Sequence, residues 1–415
     1  MSSEVTVTTR GLVLTEHEIE VPLDHDAPGD EQITIFAREV ADPDGRDRPY
    51  LVFLQGGPGF EAPRPSRHPS SPGWLDRALT EFRVLMLDQR GTGRSTPFGP
   101  AVIAGRTPAE VAEYLTHFRA DSIVRDAEHF RGALAVERWS VLGQSFGGFC
   151  AMTYLSLAPE GLREALFTGG VPPVGRTVDD IYRATFARML ERNRRHYERY
   201  PGDRDVVRGL IERLATDPVV LPSGDRLTPR RLRQLGHMLG MSDGSERLHY
   251  ILELDPESPA FAHDVEAALE FARNPLYAIV HEACYADGGA TRWSADRVMP
   301  DAFRDDPTLL TGEHVFLWMF EDYGALAPLQ EAADILADVE WSRLYDAERL
   351  AANEVPAAAA IYAEDPYVER AFSEETAELT RGLRPWVTNE YDHNGLRADG
   401  DRILSRLIDL ARGRA

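Results

Sequence analysis

A serine flanked by glycines is the feature of the sequence that most clearly could do chemistry. Ser145 lies within Gly-Gln-Ser-Phe-Gly-Gly at 143–148, after an apolar run and before a helical pattern. In a G-x-S-x-G turn the glycines relieve crowding where a strained bend lifts the serine Oγ above the edge of a sheet. We therefore interpret Ser145 as a nucleophile, the alternative being an ordinary turn between a strand and a helix.

A nucleophilic serine needs two partners, and the sequence places candidates for both after late strands. A histidine must take the hydroxyl proton, and a carboxylate must hold that histidine in the correct tautomer. The last two predicted strands are followed by Asp365 and His393, in the expected chain order of serine, acid and histidine. We predict a triad of Ser145, Asp365 and His393, with Glu364 as the competing acid. Other histidines fall in predicted helices, at positions 129, 196, 237, 249 and 314.

A second glycine-rich segment can supply the hydrogen-bond donors that acyl transfer requires. Negative charge develops on the tetrahedral intermediate and is stabilised by backbone N–H groups placed around it. One donor comes from the residue after the nucleophile, here Phe146, and the other from a glycine-rich loop after an earlier strand. Gln-Gly-Gly-Pro-Gly at 55–59 fits that description, so we nominate the amide of Gly57. The alternative, a phosphate-binding loop, lacks the Lys-Ser/Thr pair of a P-loop and the spacing of a dinucleotide fingerprint.

Charged residues follow another apolar run, in Asp-Gln-Arg-Gly-Thr-Gly-Arg-Ser at 88–95. Asp88 and Arg90 stand at the end of a predicted strand, where they could bind substrate. We favour a structural role, in which both side chains make buried hydrogen bonds that hold the loop near the active site.

Two kinds of strand pattern surround these residues. Segments 11–23 and 31–40 alternate apolar with polar side chains, which is typical of half-buried strands and predicts an antiparallel ribbon. Short, continuous apolar runs then alternate with helical stretches, which is typical of a parallel sheet covered by helices. The apolar runs lie at 50–54, 82–87, 139–142 and 163–168, and the helical stretches include 121–136 and 146–157.

The sheet pattern is interrupted between about 177 and 340 by one helical stretch after another. Sheet character returns at 356–362 and 384–389, and an amphipathic helix at about 399–412 closes the pattern. We predict the α/β class and the α/β-hydrolase fold, with a mostly parallel central sheet and an inserted helical cap. The predicted division is a first part of the core at 1–172, the cap at 173–345 and a second part of the core at 346–415.

The amino-acid composition limits the classes of protein to which the chain can belong. The 415 residues exceed the usual size of one domain, and 43% hydrophobic with 27% charged residues is typical of a globular chain. A formal net charge of −23 argues against nucleic acid as a partner, because phosphate binding needs clustered basic residues. The acidic balance suits a cationic substrate, although it also serves solubility.

Cysteine usage and hydropathy indicate a compartment. Cys150 and Cys284 are far apart and have no metal-type spacing, so we expect neither a disulfide framework nor a zinc site. The N-terminal segment carries acidic groups and lacks the basic and apolar regions of a signal peptide. No stretch approaches the ~20 apolar residues of a membrane helix. We therefore predict a cytoplasmic protein with no membrane partner.

Four segments together resemble the proline iminopeptidase, or prolyl aminopeptidase, family of α/β-hydrolases. They are QGGPG, DQRGTGRS, GQSFGG and EYDHNGL, and the resemblance covers about residues 45–170 and 355–412. The first two motifs in one chain are far more specific than the serine turn alone. Gln55 departs from the histidine that many members carry before GGPG. Because the glycines that follow supply the donors, this departure concerns loop packing more than catalysis.

The resemblance implies an activity and a site for the substrate's amine. It implies removal of an N-terminal prolyl residue from short peptides, with carboxylates of the helical cap binding the free amine. Such an amine is cationic, and its burial requires an opposite charge nearby. Segments 277–282 and 311–316 resemble acidic cap segments of the family, which implies Glu282 and Glu313 as amine ligands. Glu321 is held in reserve, and ordinary surface glutamates are the alternative.

Other activities share parts of this pattern. A carboxylesterase-type hydrolase of small neutral esters has the same serine turn and triad. An epoxide hydrolase or dehalogenase needs an acidic nucleophile in place of Ser145, and a non-catalytic protein would not need serine, acid and histidine in this order. We expect two-step acyl transfer with no metal or organic cofactor, and the sequence assigns no oligomeric state. The candidates to line an apolar slot for the proline ring are Phe60, Phe146, Tyr285 and Trp318.

Overall fold

A nine-stranded sheet forms the centre of the computed structural model, which describes residues 2–9 and 11–415. The strands are β1 (Ser2–Thr9), β2 (Leu12–Pro22), β3 (Gln32–Ala41), β4 (Tyr50–Leu54), β5 (Arg83–Leu87), β6 (Trp139–Gln144), β7 (Leu162–Thr168), β8 (Val219–Val220), β9 (Arg226–Leu227), β10 (Ala357–Tyr362) and β11 (Leu383–Thr388). Their spatial order in the large sheet is β1-β2-β3-β5-β4-β6-β7-β10-β11, and β8 pairs with β9 apart from it.

Helices connect the strands and cover the sheet. They are α1 (Leu75–Leu79), α2 (Pro100–Ile103), α3 (Pro108–Thr116), α4 (Ala120–Ala133), α5 (Phe146–Leu157), α6 (Val178–Arg199), α7 (Asp203–Leu214), α8 (Pro229–Arg233), α9 (Gly244–Leu252), α10 (Pro259–Ala268), α11 (Pro275–Tyr285), α12 (Ser294–Val298), α13 (Asp301–Asp305), α14 (Met319–Asp322), α15 (Gln330–Ala337), α16 (Ala347–Ala351), α17 (Arg370–Leu379), α18 (Gly395–Ala398) and α19 (Gly400–Ala411). Within residues 2–9 and 11–415, no helix combines the length and the apolar character needed to cross a membrane.

The first three strands form the antiparallel ribbon that the alternating pattern predicts. β2 pairs with β3 so that Ile19 lies opposite Ile35, and both side chains are buried. Thr34, on the other face of β3, remains partly exposed. β3 joins the rest of the sheet through antiparallel pairing with β5. The prediction of an opening ribbon is confirmed.

The remaining strands of the large sheet are parallel to one another, as the continuous apolar runs predict. Every residue of β4 and of β10 is buried, because helices pack on both faces of this part of the sheet. α4 and α5 cover one face, and α19 covers the other with Ile403, Leu404, Leu407 and Ile408. The mostly parallel sheet of an α/β-hydrolase is therefore present.

A long stretch of helices separates β7 from β10. It contains α6 to α16 and the short β8–β9 hairpin, and we call residues 169–356 the helical insertion. The predicted cap boundaries, 173 and 345, fall inside this span. The insertion follows β7 directly, so it begins at the carboxyl end of the sheet, where the candidate catalytic residues also lie.

Asp88 and Arg90 hold neighbouring loops in place. The buried Asp88 carboxylate accepts hydrogen bonds from Arg64 at 2.9 and 2.8 Å and from the Ala62 N–H at 3.1 Å. The buried Arg90 guanidinium donates to both oxygens of Asp126, at 2.8 and 2.6 Å. These contacts support the structural role predicted for the two residues.

Arg90→Ala is expected to lower the free energy of unfolding by roughly 3–5 kcal/mol, because it leaves the buried carboxylate of Asp126 without its guanidinium partner. Urea denaturation followed by circular dichroism measures the loss. Arg208→Ala is the matched control, since Arg208 pairs with Asp205 on an exposed helix face and is expected to change stability by less than about 1 kcal/mol. Equal losses in both variants would contradict the structural role of Arg90.

Candidate active site

Ser145 stands at a sharp turn between β6 and α5. Its backbone has φ 53° and ψ −124°, in the left-handed half of conformational space that residues with side chains seldom adopt. A Cβ on Gly147 would lie 1.9 Å from the carbonyl oxygen of Leu54, and one on Gly143 would lie 2.3 Å from that of Gly147. Only glycine fits at these two positions, and the turn they permit raises the Ser145 hydroxyl above the carboxyl end of the sheet.

The structure brings together the three residues predicted as a triad. The Oγ of Ser145 lies 2.9 Å from Nε2 of His393, and Nδ1 of His393 lies 2.6 Å from Oδ2 of Asp365. The other oxygen of Asp365 accepts hydrogen bonds from the N–H groups of Tyr367 at 2.8 Å and Val368 at 3.1 Å. The three residues follow β6, β10 and β11, which end at the same edge of the sheet. This geometry suits proton transfer from serine to histidine.

The competing acid, Glu364, points away from His393. Its carboxylate forms an ion pair with Arg195 of α6, and its side chain is 40% exposed. The Asp365 side chain, in contrast, is 1% exposed. A buried carboxylate orients an imidazole more firmly than one screened by water. The structure therefore favours Asp365 over Glu364 as the partner of His393.

The electrostatics of His393 suit a general base. Burial by itself disfavours the imidazolium form, but the charge of Asp365 and its hydrogen bond to the ring outweigh burial and raise the pKa of His393 above its ordinary value. A raised pKa means that the imidazole binds a proton more strongly. His393 is thus suited to accept the proton of Ser145.

The loop after β4 passes directly beside Ser145. A Cβ on Gly56 would lie 3.0 Å from the Cβ of Ser145, and Gly57 has φ +127°, which favours glycine. Across the described residues, the N–H groups of Gly57 and Phe146 donate to no other protein group. Both donors predicted for the oxyanion therefore remain available at this turn.

A carboxylate whose side chain is only 11% exposed, that of Glu313, lies near the triad on the side of the helical insertion. Glu313 accepts hydrogen bonds from the hydroxyls of Tyr277 at 2.6 Å and Tyr285 at 3.3 Å, both on α11. Burial raises the pKa of Glu313 to about 7, although His393 and the Tyr277 hydroxyl favour the charged form. Ring contacts connect this carboxylate to the triad: His237, 4.0 Å from Glu313, packs against Tyr367 at 5.1 Å, and Tyr367 packs against the His393 ring at 4.8 Å.

The groups around Glu313 do not neutralise it. Nε2 of His237 lies 4.0 Å from the Glu313 carboxylate, but burial, assisted by the charge of His393, lowers the pKa of His237 to about 4. Burial likewise lowers the pKa of His281 to about 3. Both imidazoles are neutral at pH 7, and no arginine pairs with Glu313 among the described residues. Among the described residues, no cationic side chain therefore compensates the ionised form of Glu313.

Glu282, the other predicted amine ligand, has a different environment. Its Oε1 accepts a hydrogen bond of 2.9 Å from the Ala295 N–H, and burial raises its pKa to about 7. On α11 its side chain points roughly 100° away from the face shared by Tyr277, His281 and Tyr285. The structure gives Glu282 a contact with the start of α12 and none with the partners of Glu313. The two carboxylates predicted as amine ligands therefore have different surroundings, and amine binding by Glu282 stays a prediction.

Other predicted candidates, namely Glu321, Trp318, Phe60 and Tyr285, also differ in their surroundings. Glu321 is 52% exposed and forms an ion pair of 2.9 Å with Arg230, and the same arginine lies over the ring of Trp318. Neither contact involves a residue of the triad. The ring of Phe60 packs edge-on against Tyr277, which donates to Glu313, with 5.2 Å between ring centroids. Phe60 and Tyr285 thus belong to the surroundings of Glu313.

Three side chains of the site were not predicted individually. Tyr277 shares a helix face with His281 and Tyr285 at intervals of four, a spacing that could have marked a polar aromatic row. His237 and Tyr367 carry no such local signal. Tyr367 donates its hydroxyl to the carbonyl of His237 and packs edge-on against the His393 ring at 4.8 Å. His237 and Tyr367 join the site only through contacts between segments that are distant in the sequence.

The fold and the site define the class of protein. A mostly parallel sheet, a strained turn that presents a serine, and an acid and a histidine after the last two strands are the marks of an α/β-hydrolase. A family model described as "alpha/beta hydrolase fold" matches residues 49–206.

Known sequences define the family more narrowly. The chain is 48% identical to a proline iminopeptidase of Aeromonas sobria, over 99% of this chain and 100% of that protein. It is 34% identical to the proline iminopeptidase aneH of Aspergillus aculeatus, over 96% of this chain and 94% of that protein. The chain therefore belongs to the proline iminopeptidase family, and it is a hydrolase.

Proposed function

We propose that this protein is a prolyl aminopeptidase that releases N-terminal proline from short peptides, with Ser145, His393 and Asp365 as its catalytic triad. The substrate class rests on one observation: the side chain of Glu313 is only 11% exposed, lies near the triad and has no cationic partner among the described residues. Membership of the proline iminopeptidase family supports the same activity. A cytoplasmic location and a cap at 173–345 are predictions that accompany this proposal.

The first half of the reaction acylates the serine. Nε2 of His393, 2.9 Å from Ser145 Oγ, accepts the hydroxyl proton as the oxygen attacks the prolyl carbonyl carbon. The carbonyl oxygen becomes negative and is stabilised by the N–H groups of Gly57 and Phe146. The C–N bond then breaks, His393 returns its proton to the leaving nitrogen, and the peptide shortened by one residue departs.

The second half hydrolyses the acyl-enzyme. Nε2 of His393 takes a proton from a water molecule, and the resulting hydroxide attacks the prolyl ester on Ser145. The oxyanion forms again between the same two N–H groups, and the proton on His393 returns to Ser145 Oγ as the C–O bond breaks. Asp365 stays ionised throughout and stabilises the imidazolium in both halves.

Glu313 explains why the substrate must begin at the scissile residue. A free N-terminal amine is cationic, and burying it is unfavourable unless an opposite charge compensates. Glu313 supplies that charge, held by the hydroxyls of Tyr277 and Tyr285. Binding a cation would also favour the ionised carboxylate and lower its pKa below about 7. An acetylated proline offers no cation and would leave Glu313 unpaired.

The alternative, a carboxylesterase acting on small neutral esters, shares the triad but has no use for an unpaired buried carboxylate. Steady-state hydrolysis of prolyl-β-naphthylamide, its N-acetyl derivative and p-nitrophenyl acetate separates the two activities. The proposal expects the free-amine substrate to be hydrolysed much faster than its N-acetyl derivative, and the activated ester to be hydrolysed slowly but measurably because it needs only the triad. Preference for the ester together with indifference to acetylation would contradict the aminopeptidase assignment while keeping the serine hydrolase.

The pH dependence of kcat/KM is expected to reflect the titration of both Glu313 and His393. As the pH falls through about 7, Glu313 becomes protonated and loses the charge that binds the amine. As the pH falls through the raised pKa of His393, the imidazole becomes protonated and can no longer act as a base. For prolyl-β-naphthylamide the logarithm of kcat/KM should fall with a slope approaching about two per pH unit. For p-nitrophenyl acetate, which needs only His393, the slope should approach about one. Equal slopes would remove Glu313 from amine binding.

A further inference from the structure

A cavity of about 410 Å³ opens beside His393 and is separate from the surroundings of Glu313. Its walls are mainly apolar and include Phe53, Trp74, Met241 and Leu396. Phe53 and Trp74 are each 2% exposed, and Leu396 is 4% exposed. Gln144, the residue before the nucleophile, lines the cavity together with His393. The mechanism derived above leaves this space unused.

The cavity and Glu313 lie towards opposite ends of one short segment that runs past His393. Nε2 of His237, at the start of this segment, lies 4.0 Å from the carboxylate of Glu313. The carbonyl of Gly240 accepts a hydrogen bond of 3.1 Å from the backbone N–H of His393. Met241, the next residue, lines the cavity. Four residues of 3₁₀ geometry span about 8 Å, so the segment extends from the amine side to the cavity side of the histidine.

The chemistry of acyl transfer says which part of a substrate would face this cavity. The proton that His393 takes from Ser145 must pass to the leaving nitrogen, so that nitrogen lies beside the imidazole in the reactive complex. With the prolyl amine held at Glu313 on one side, the chain beyond the scissile bond continues on the other. The apolar cavity walled by His393 is on that side.

We propose that this cavity binds the side chain of the residue that follows proline and selects apolar residues there. The inference rests on the proposed aminopeptidase function and adds the substrate class of its leaving group. Burial of a leucine or phenylalanine side chain among Phe53, Trp74 and Leu396 is favourable in proportion to the apolar area removed from water. The Gln144 amide, which hydrogen-bonds no other side chain or backbone group among the described residues, faces the same space and can bind the first peptide group of the leaving segment.

The test compares prolyl-glycinamide, prolyl-leucinamide and prolyl-phenylalaninamide, whose leaving groups differ only in the side chain. The value of kcat/KM for proline release is expected to be roughly 10- to 100-fold higher for the leucine and phenylalanine compounds than for the glycine compound. Equal rates for all three would overturn the inference and leave the aminopeptidase function intact. No proline release from any of them would instead refute the proposed function itself.

A cavity-filling variant tests the location. Gly73 lines the cavity, and a Cβ there meets no atom within 4 Å, so Gly73→Leu places a side chain in the space without a clash. The ratio of kcat/KM between prolyl-leucinamide and prolyl-glycinamide is expected to fall to about one. Gly209→Leu, at an exposed glycine of α7 that is equally unobstructed, is the matched control and should keep the wild-type ratio.

A second variant approaches the cavity from the helical insertion. Met241→Trp adds bulk at another part of the cavity wall and should lower the same ratio, so the test does not depend on the folding of Gly73→Leu. Circular dichroism establishes that each variant is folded. A wild-type ratio in both folded variants, or an equal loss on all three substrates, would show that the side chain after proline binds elsewhere.

Discussion

Ser145→Ala is expected to lower kcat for prolyl-β-naphthylamide by roughly 10⁶-fold while the protein stays folded. The variant lacks the Oγ that lies 2.9 Å from His393, so no acyl-enzyme can form. Steady-state kinetics at high enzyme concentration measures the residual rate, and circular dichroism verifies the fold. Ser156, a buried serine on α5 distant from the turn, provides the control Ser156→Ala, which should retain most activity.

The double variant Ser145→Ala/His393→Ala sharpens this test. Residues that act as one catalytic unit are strongly non-additive, so the second substitution should cost little beyond the first. Multiplicative losses would indicate that the two residues act independently. Residual activity of Ser145→Ala above about 1% of the wild type would mean that another group is the nucleophile.

Glu313→Gln is expected to lower kcat/KM for prolyl-β-naphthylamide by roughly 10²- to 10³-fold, mainly through a higher KM. Glutamine keeps the size of the side chain and can still contact Tyr277 and Tyr285, but it offers no charge to the buried amine. Leaving such a cation uncompensated costs about 3–5 kcal/mol, which corresponds to that loss. Hydrolysis of p-nitrophenyl acetate, which carries no amine, should change little.

Glu282→Gln is the matched comparison for this prediction. Glu282 is also buried and has a pKa of about 7, yet its hydrogen bond goes to the Ala295 N–H. An amide oxygen can accept that bond, so kcat/KM for the prolyl substrate should fall by less than about threefold. A loss as large as that of Glu313→Gln would indicate that both carboxylates bind the amine.

The core of the fold could be predicted because its signals are local and periodic. The alternating strands β2 and β3 and the continuous apolar runs of β4, β6 and β10 appear in the structure within a few residues of their predicted bounds. A residue after the carboxyl end of a parallel strand must lie at the common edge of the sheet. Asp365 and His393 could therefore be placed beside Ser145 from their positions after the last two strands.

The carboxylates of the helical insertion could not be assigned in this way. Glu282 and Glu313 both stand in segments that resemble acidic segments of the family, and nothing in their immediate sequence separates them. Their environments depend on which residues from α11, α12 and the loop at 237 pack around them. The local sequence pattern does not indicate which neighbours a side chain contacts in an irregular layer of helices.

Strand periodicity and chain order were enough to predict the sheet, the strained serine turn and the order of serine, acid and histidine. The contacts of Glu313 with two tyrosines, and of Glu282 with the start of α12, could be seen only once the chain was folded. The same is true of the cavity beyond His393, whose walls come from five separate parts of the chain. Burial and long-range packing set the charge and shape of these sites, and neither is a property of any one segment.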